Sequence, residues 1–294
     1  MTNAKGGTGK TTVAINVAGA LAERGRDVLF VDLDPQGNAP EGLGLMHEYD
    51  ATPPTLFDVL TDPEMRGHVA DIVVDHPQMD VIPSNIDMLQ AERELTIADL
   101  MARATARNVG VDPASLSTLA VNVTPETVSG PHALDVLDRA LTALDHEYDY
   151  VVVDSPPFYG KLTDAGIFAT RNILIPALTE ASSERAIELL IDQVTALEGQ
   201  TDISVETLGV VANRVETTSE DETMLRWFSE VFADDPIWEV RKRVALQRAL
   251  SVGETVFGYD ERVDMETVFL DIADTLDEQF GFVDHADEEQ EGTT

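Results

Sequence analysis

MTNAKGGTGKTT (residues 1–12) decides the fold. Three glycines, two lysines and a closing Thr-Thr pair crowd into nine residues, and TTVAINVAGALAERG (11–25) follows with apolar residues at helical spacing. A glycine-rich turn running into a helix N-terminus aims backbone N–H groups inward, at the positive end of the helix macrodipole, and so forms an anion site. The Gly-Lys-Thr order adds chemistry to that shape. Lys10 is placed to reach the β- and γ-phosphates of a nucleotide, the Thr11 hydroxyl to ligate Mg²⁺, and Thr12 to add a phosphate contact, with Gly6, Gly7, Thr8 and Gly9 forming the cradle. A flexible glycine turn alone accounts for neither the residue order nor the helix. Two features need explaining: Lys5 is a second lysine in the same loop, and only MTNA precedes it.

Outward from the loop, short apolar runs alternate with helical patterns. DVLFVDLD (27–34), MDVIPS (79–84), YDYVVVDSPP (148–157), NILIPA (172–177) and VETLGVVANRV (205–215) are Val/Ile-rich and predict buried strands. Helical periodicity covers 11–24, 86–104, 132–146, 162–170, 182–198, 219–232, 244–251 and 263–280. Continuous β-branched runs between helices predict an α/β fold with a mostly parallel sheet covered by helices on both faces. No long linker divides the chain, so 1–283 is expected to be one domain, with 106–131 as a surface insertion and the acidic 284–294 as a disordered tail.

A phosphate loop joins a buried strand to a helix. MTNA is too short and too polar to be that strand, so the first strand is expected to be missing from the sheet. An upstream natural start, with Met1 a misassigned or truncated one, is the expectation that follows. Residues from 106–131 filling the place are the alternative.

Composition narrows the setting. There are no cysteines, which excludes disulfides and thiolate metal sites, and the six histidines are scattered. No apolar run is long enough to span a bilayer and no signal peptide is visible, so a cytoplasmic protein is expected. The formal net charge is −36, from 55 acidic and 19 basic residues, and the acidic excess runs along the whole chain. Repulsion on that scale opposes compaction in dilute buffer but is screened in molar salt, where the Debye length is about 3 Å. A halophilic setting is the expectation.

The loop has Ala4 where an ordinary phosphate loop has its first glycine, and Lys5 follows it. In this form, KGGTGKTT, the chain resembles the ParA/MinD family of partition and cell-positioning ATPases. VLFVDLDPQGN (28–38), YVVVDSPP (150–157) and VVANRV (210–215) match further motifs of that family in the right order. The resemblance implies that Lys5 is the signature lysine, reaching across a homodimer to the partner's nucleotide while Lys10 serves its own. It implies that Asp34 helps to position the attacking water, that Asp32 supports the Mg²⁺ shell, that Asp154 holds Mg²⁺ through water, and that Asn213 contacts adenine. ATP and Mg²⁺ are the implied cofactors.

DSPP and DLDPQGN look most like the ParA/Soj branch. That resemblance implies an ATP-bound dimer that binds DNA without sequence preference, associates with the nucleoid, and hydrolyses ATP when a ParB-like centromere-binding partner triggers it. Arg241, Lys242, Arg243 and Arg248, in VRKRVALQR, lie where the branch places DNA-contacting residues. Two other readings compete: a MinD-like positioning ATPase, which the acidic C-terminal residues disfavour on an anionic membrane, and a non-hydrolysing nucleotide-gated adaptor.

Overall fold

The computed structural model describes residues 1–3, 5–110, 133–157 and 159–282. Ala4, most of the expected insertion (from 111 on) and the acidic tail 284–294 lie outside them. The chain opens with α1 (Lys10–Glu23), β1 (Val28–Asp32) and the short helices α2 (Asn38–Gly42), α3 (Met46–Tyr49) and α4 (Leu56–Thr61). A 3-10 turn, Arg66–Ile72, leads into β2 (Val74–His76), β3 (Met79–Ile82) and α5 (Met88–Ala106). Then come α6 (Val136–Thr142), β4 (Tyr150–Asp154), α7 (Lys161–Thr170), β5 (Asn172–Leu178), α8 (Ser182–Glu198), β6 (Glu206–Val215) and α9 (Ser219–Val231). The described chain closes with β7 (Ile237–Arg241), α10 (Val244–Ser251) and α11 (Glu266–Phe280).

The sheet is mostly parallel, but it is in two pieces. One has the order β2-β3-β1-β4 and the other β5-β6-β7; among the described strands only β2 runs antiparallel to its neighbour. Every residue of β1 is buried, as its unbroken apolar run requires. On one face α1 and α11 pack across both pieces: Val13, Val17, Phe269 and Ile272 share a core with Phe30 and Val152 from the first piece and Leu174 and Val211 from the second. The opposite face is divided. Leu29, Val31 and Val153 pack under α4–α7 through Leu60, Leu95, Leu137 and Leu162. Ile175, Val210 and Ala212 pack under α8 and α9 through Ile187, Leu190 and Phe228. Burying such side chains contributes about 1.5–3 kcal/mol each.

The sheet breaks between β4 and β5; a missing strand was expected, but not its neighbours. Among the described residues, Met1–Asn3 span the break by hydrogen bonds. The Met1 amine donates to the Val153 carbonyl (2.7 Å) and the Ser155 N–H donates to the Met1 carbonyl (3.3 Å). On the other side the Thr2 N–H donates to the Leu174 carbonyl (3.3 Å) and the Asn3 side-chain amide to the Pro176 carbonyl (2.7 Å). Below them is a cavity of about 580 Å³.

Several elements differ from the sequence expectation, among them α2, α3, α4 and the turn Arg66–Ile72, none of which was expected. β2 and β7 were not anticipated; β7 alternates buried Trp238 and Val240 with exposed Glu239 and Arg241, a half-buried pattern unlike the continuous runs elsewhere. The helix expected over 132–146 is described only over Val136–Thr142.

Candidate nucleotide site

The carboxyl ends of parallel strands gather the site, as in other open α/β sheets. Asp32 ends β1 and Asp154 ends β4, opposite one another in register. The phosphate loop enters between the two sheet pieces and turns into α1. Gly7 and Gly9 have φ of +76° and +80°, in the left-handed region that glycine occupies at no cost. Gly9 is constrained twice: a Cβ there would overlap the Asn213 amide.

Lys10 is 6% exposed and its pKa is lowered by burial, against the pull of Asp154 and Asp34. The Thr11 hydroxyl donates to Asp154 Oδ2 at 2.6 Å. Asp32 Oδ1 accepts the Asp34 N–H (2.9 Å), and Asp34 Oδ1 accepts the Gln36 N–H (3.0 Å), so each carboxylate is oriented by backbone. Asp32 Oδ2 and Asp154 Oδ1 are buried with no hydrogen-bond partner, and so is the Thr8 hydroxyl. Burial pushes the Asp154 carboxyl up to about 6, despite the Thr11 hydroxyl, the Met1 amine and Lys10. Burial raises Asp32 well above the usual range, and the Asp154 charge raises it further.

Two fully buried acids with orphaned oxygens, beside a threonine hydroxyl, fit a divalent cation that supplies the missing charge. Among the described residues no cluster of three or more His, Cys, Asp or Glu stands ready to cage a metal. That suits Mg²⁺, which keeps waters and binds through few protein groups plus phosphate oxygens. Thr11 would hold it directly, and Asp154 and Asp32 would face its water shell. The adjoining cavity, about 600 Å³, is lined by Gly7, Gly9, Lys10, Thr11, Thr12 and Asp34.

Lys5 is elsewhere. Its ammonium donates to Glu180 Oε2 (2.5 Å) and to the Ser182 hydroxyl (2.7 Å), outside the cavity lining. A Cβ added at Gly6 would meet no atom within 4 Å, so this stretch of loop is open on that side.

Asn213 packs against the phosphate loop. Its side-chain amide donates to the Thr8 carbonyl (2.8 Å) and its Oδ1 accepts the Arg214 N–H (2.9 Å). With both ends engaged and the side chain buried, Asn213 braces the phosphate loop. The neighbouring Arg214, with φ of +58°, lines the cavity instead. Arg214, Gln36, Gln247 and Ser251 were all missed from sequence. Gln36 sits inside the DLDPQGN string and could have been named. Gln247 and Ser251 belong to α10 and carry no motif.

The basic cluster is not a free cationic patch. Lys242 pairs with Glu216 (2.8 Å) and Arg243 forms a two-pronged pair with Asp264, at 2.6 Å for the shortest contact. Arg241 and Arg248 are exposed, at the end of β7 and on α10. Among the described residues, no helix is long and apolar enough to cross a membrane.

A family model described as an AAA domain matches residues 1–207. The sporulation initiation inhibitor protein Soj of Bacillus subtilis is 29% identical over 279 residues, covering 93% of this chain and 95% of Soj. An uncharacterized protein of Mycobacterium tuberculosis is 36% identical over 231 residues, which cover 77% of this chain but only 61% of that protein's length. Among solved structures, the ATP complex of a Cyanothece McdA superposes with a TM-score of 0.71 at 24% identity, covering 94% of both chains. The fold, the deviant phosphate loop and these matches together show that the chain belongs to the ParA/MinD-type P-loop partition ATPases.

Proposed function

We propose that this protein is an Mg²⁺-dependent ATPase that forms a homodimer when ATP is bound and acts in partition or positioning of DNA cargo. The observation that carries the reading is the opposed placement of the two lysines. Lys10 lies buried beside Asp34 and Asp154, in reach of a bound triphosphate. Lys5 is turned outward, partly exposed, and held on the surface by Glu180 and Ser182. A cation so placed does not serve its own site; supplied across a dimer, it would stabilise charge on the partner's transferring phosphoryl group.

Each residue then has a role. The loop N–H groups and Lys10 bind and orient the phosphates, and Thr12 adds a contact. Thr11 would hold Mg²⁺ directly, with Asp154 and Asp32 facing its water shell, and the ion would neutralise phosphate charge. Asp34, fixed by the Gln36 N–H, orients the attacking water. The ATP dimer binds DNA without sequence preference through Arg241 and Arg248, with Lys242 and Arg243 joining as they exchange Glu216 and Asp264 for phosphate. A ParB-like partner stimulates hydrolysis.

Sedimentation with ATP and a phosphate-release assay, in molar potassium chloride, test this. Lys10→Ala is expected to lose ATP binding. Lys5→Ala is expected to bind ATP as a monomer and not hydrolyse it, whereas Asp34→Ala binds, dimerises and stalls. A Lys5→Ala protein that hydrolyses ATP at the wild-type rate removes the case for catalysis across subunits.

A further inference from the structure

Tyr49 closes α3 and lies outside the lining of the nucleotide cavity. It nevertheless touches the loop that carries Asp34. Its hydroxyl donates to the Pro35 carbonyl at 2.7 Å. Its ring lies against Gly37, where an added Cβ would stand 2.6 Å from the ring carbon Cε2. Gly37 has φ of +69°, so this position requires glycine both for its backbone and for the ring packed on it. On the other side, the Tyr49 carbonyl accepts the Ile86 N–H (3.2 Å), in the stretch that follows β3. Tyr49 thus ties the chain beyond β1 to the chain beyond β3, and those two strands are neighbours in the sheet.

The turn that Tyr49 holds is the one that aims Asp34. Asp34 Oδ1 accepts the Gln36 N–H (3.0 Å), and the Asp34 carbonyl accepts the Gly37 N–H (3.2 Å). These short-range bonds fix the shape of the turn but not its tilt against the sheet. The bond from Tyr49 supplies that restraint, from 14 residues away. We infer that Tyr49 is a positioning residue for ATP hydrolysis: through Pro35 and Gly37 it holds the 34–37 turn so that the Asp34 carboxylate faces the attacking water. The inference rests on the ATPase reading above and adds to it a residue outside both the KGGTGKTT and DLDPQGN strings. Positioning of this kind matters because a displacement of about 1 Å at a reacting group costs on the order of a hundredfold in rate.

Steady-state ATP hydrolysis, with nucleotide affinity titrated separately, tests this on the wild type, Tyr49→Phe and Tyr49→Leu. Tyr49→Phe keeps the ring and deletes one hydrogen bond, so kcat should fall roughly fivefold. Tyr49→Leu removes both contacts and should lower kcat on the order of a hundredfold. ATP affinity should stay within about twofold of wild type in both, because Tyr49 touches neither the phosphate loop nor the cavity. Amide hydrogen exchange reads the same restraint without catalysis. Gln36 and Gly37 should exchange roughly fivefold faster in Tyr49→Phe, while Val31 in β1 keeps its rate. If Tyr49→Leu does not fold, Tyr49→Phe carries the test alone. A wild type that turns over no ATP fails the ATPase reading, and exchange then decides the inference. Unchanged exchange at Gln36 and Gly37 overturns it, as does an unchanged kcat in an active enzyme. A loss of ATP affinity equal to the loss in kcat overturns it too, since Tyr49 would then support the fold of the site and not the hydrolytic step.

Discussion

Asn213 and Gly9 meet across the phosphate loop, and their coupling separates bracing from base recognition. Asn213→Ala strips the Thr8 carbonyl of its donor in a buried setting, which costs about 1–3 kcal/mol of stability. Gly9→Ala forces a Cβ into the left-handed region, about 1–2 kcal/mol, and drives it against the Asn213 amide. In the double variant the obstructing amide is gone while the backbone term stays. The two costs should therefore fall short of additivity by about 0.5–3 kcal/mol, the range for residues in contact. Urea unfolding in molar potassium chloride supplies the numbers. Nucleotide binding supplies the discrimination: a brace acts on every triphosphate, so Asn213→Ala should weaken ATP and GTP by the same factor. Additive costs, or a selective loss of ATP over GTP, would refute the brace.

Other perturbations address the surrounding charges. Glu180→Gln removes the surface partner of Lys5; such a pair contributes under about 1 kcal/mol, so stability should hold while the freed lysine speeds ATP-dependent dimerisation in stopped-flow scattering. Asp154 has its folded-state pKa raised to about 6 from an unfolded 3.8, so the metal-free protein binds more protons folded than unfolded between those values and loses stability as pH rises through them. Asp154→Asn should show a shallower loss over that window in urea titrations. With a net charge of −36, raising potassium chloride from 0.1 M to 1 M shortens the Debye length from about 10 to 3 Å and should raise the melting temperature, where an ordinary surface would shift little.

Much of this was legible in the chain because it depends on local order. Gly-Lys-Thr ahead of an apolar helix fixed the phosphate loop, and carboxylates at the ends of Val/Ile runs brought Asp32, Asp34 and Asp154 to one end of the sheet. The shortness and polarity of MTNA predicted a missing strand, but not its neighbours in the sheet. What was hidden depends on partners distant in sequence. Asn213 reaches Thr8 across 205 residues, and no spacing shows which end of an amide is taken. Lys242 and Arg243 read as a basic cluster, yet their carboxylates lie 26 and 21 positions away. β7 was missed because its outward residues are charged, and tertiary packing of Trp238 and Val240, rather than local pattern, makes it a strand.

The divided sheet makes the nucleotide a mechanical element. Asp32, Asp34 and Asp154 ride on one piece and Asn213 and Arg214 on the other, with the phosphate loop threaded through the seam. A ligand gripped by both sides acts as a rivet. It adds the ordinary linkage stabilisation, about 2.7 kcal/mol at a hundredfold excess over Kd, and it also couples opening of one cooperative unit to opening of the other. Hydrolysis would then do more than change the charge of a bound group. Loss of the γ-phosphate would loosen the clamp along this seam, leaving the core shared by α1 and α11 to hold the two pieces together until the next triphosphate binds.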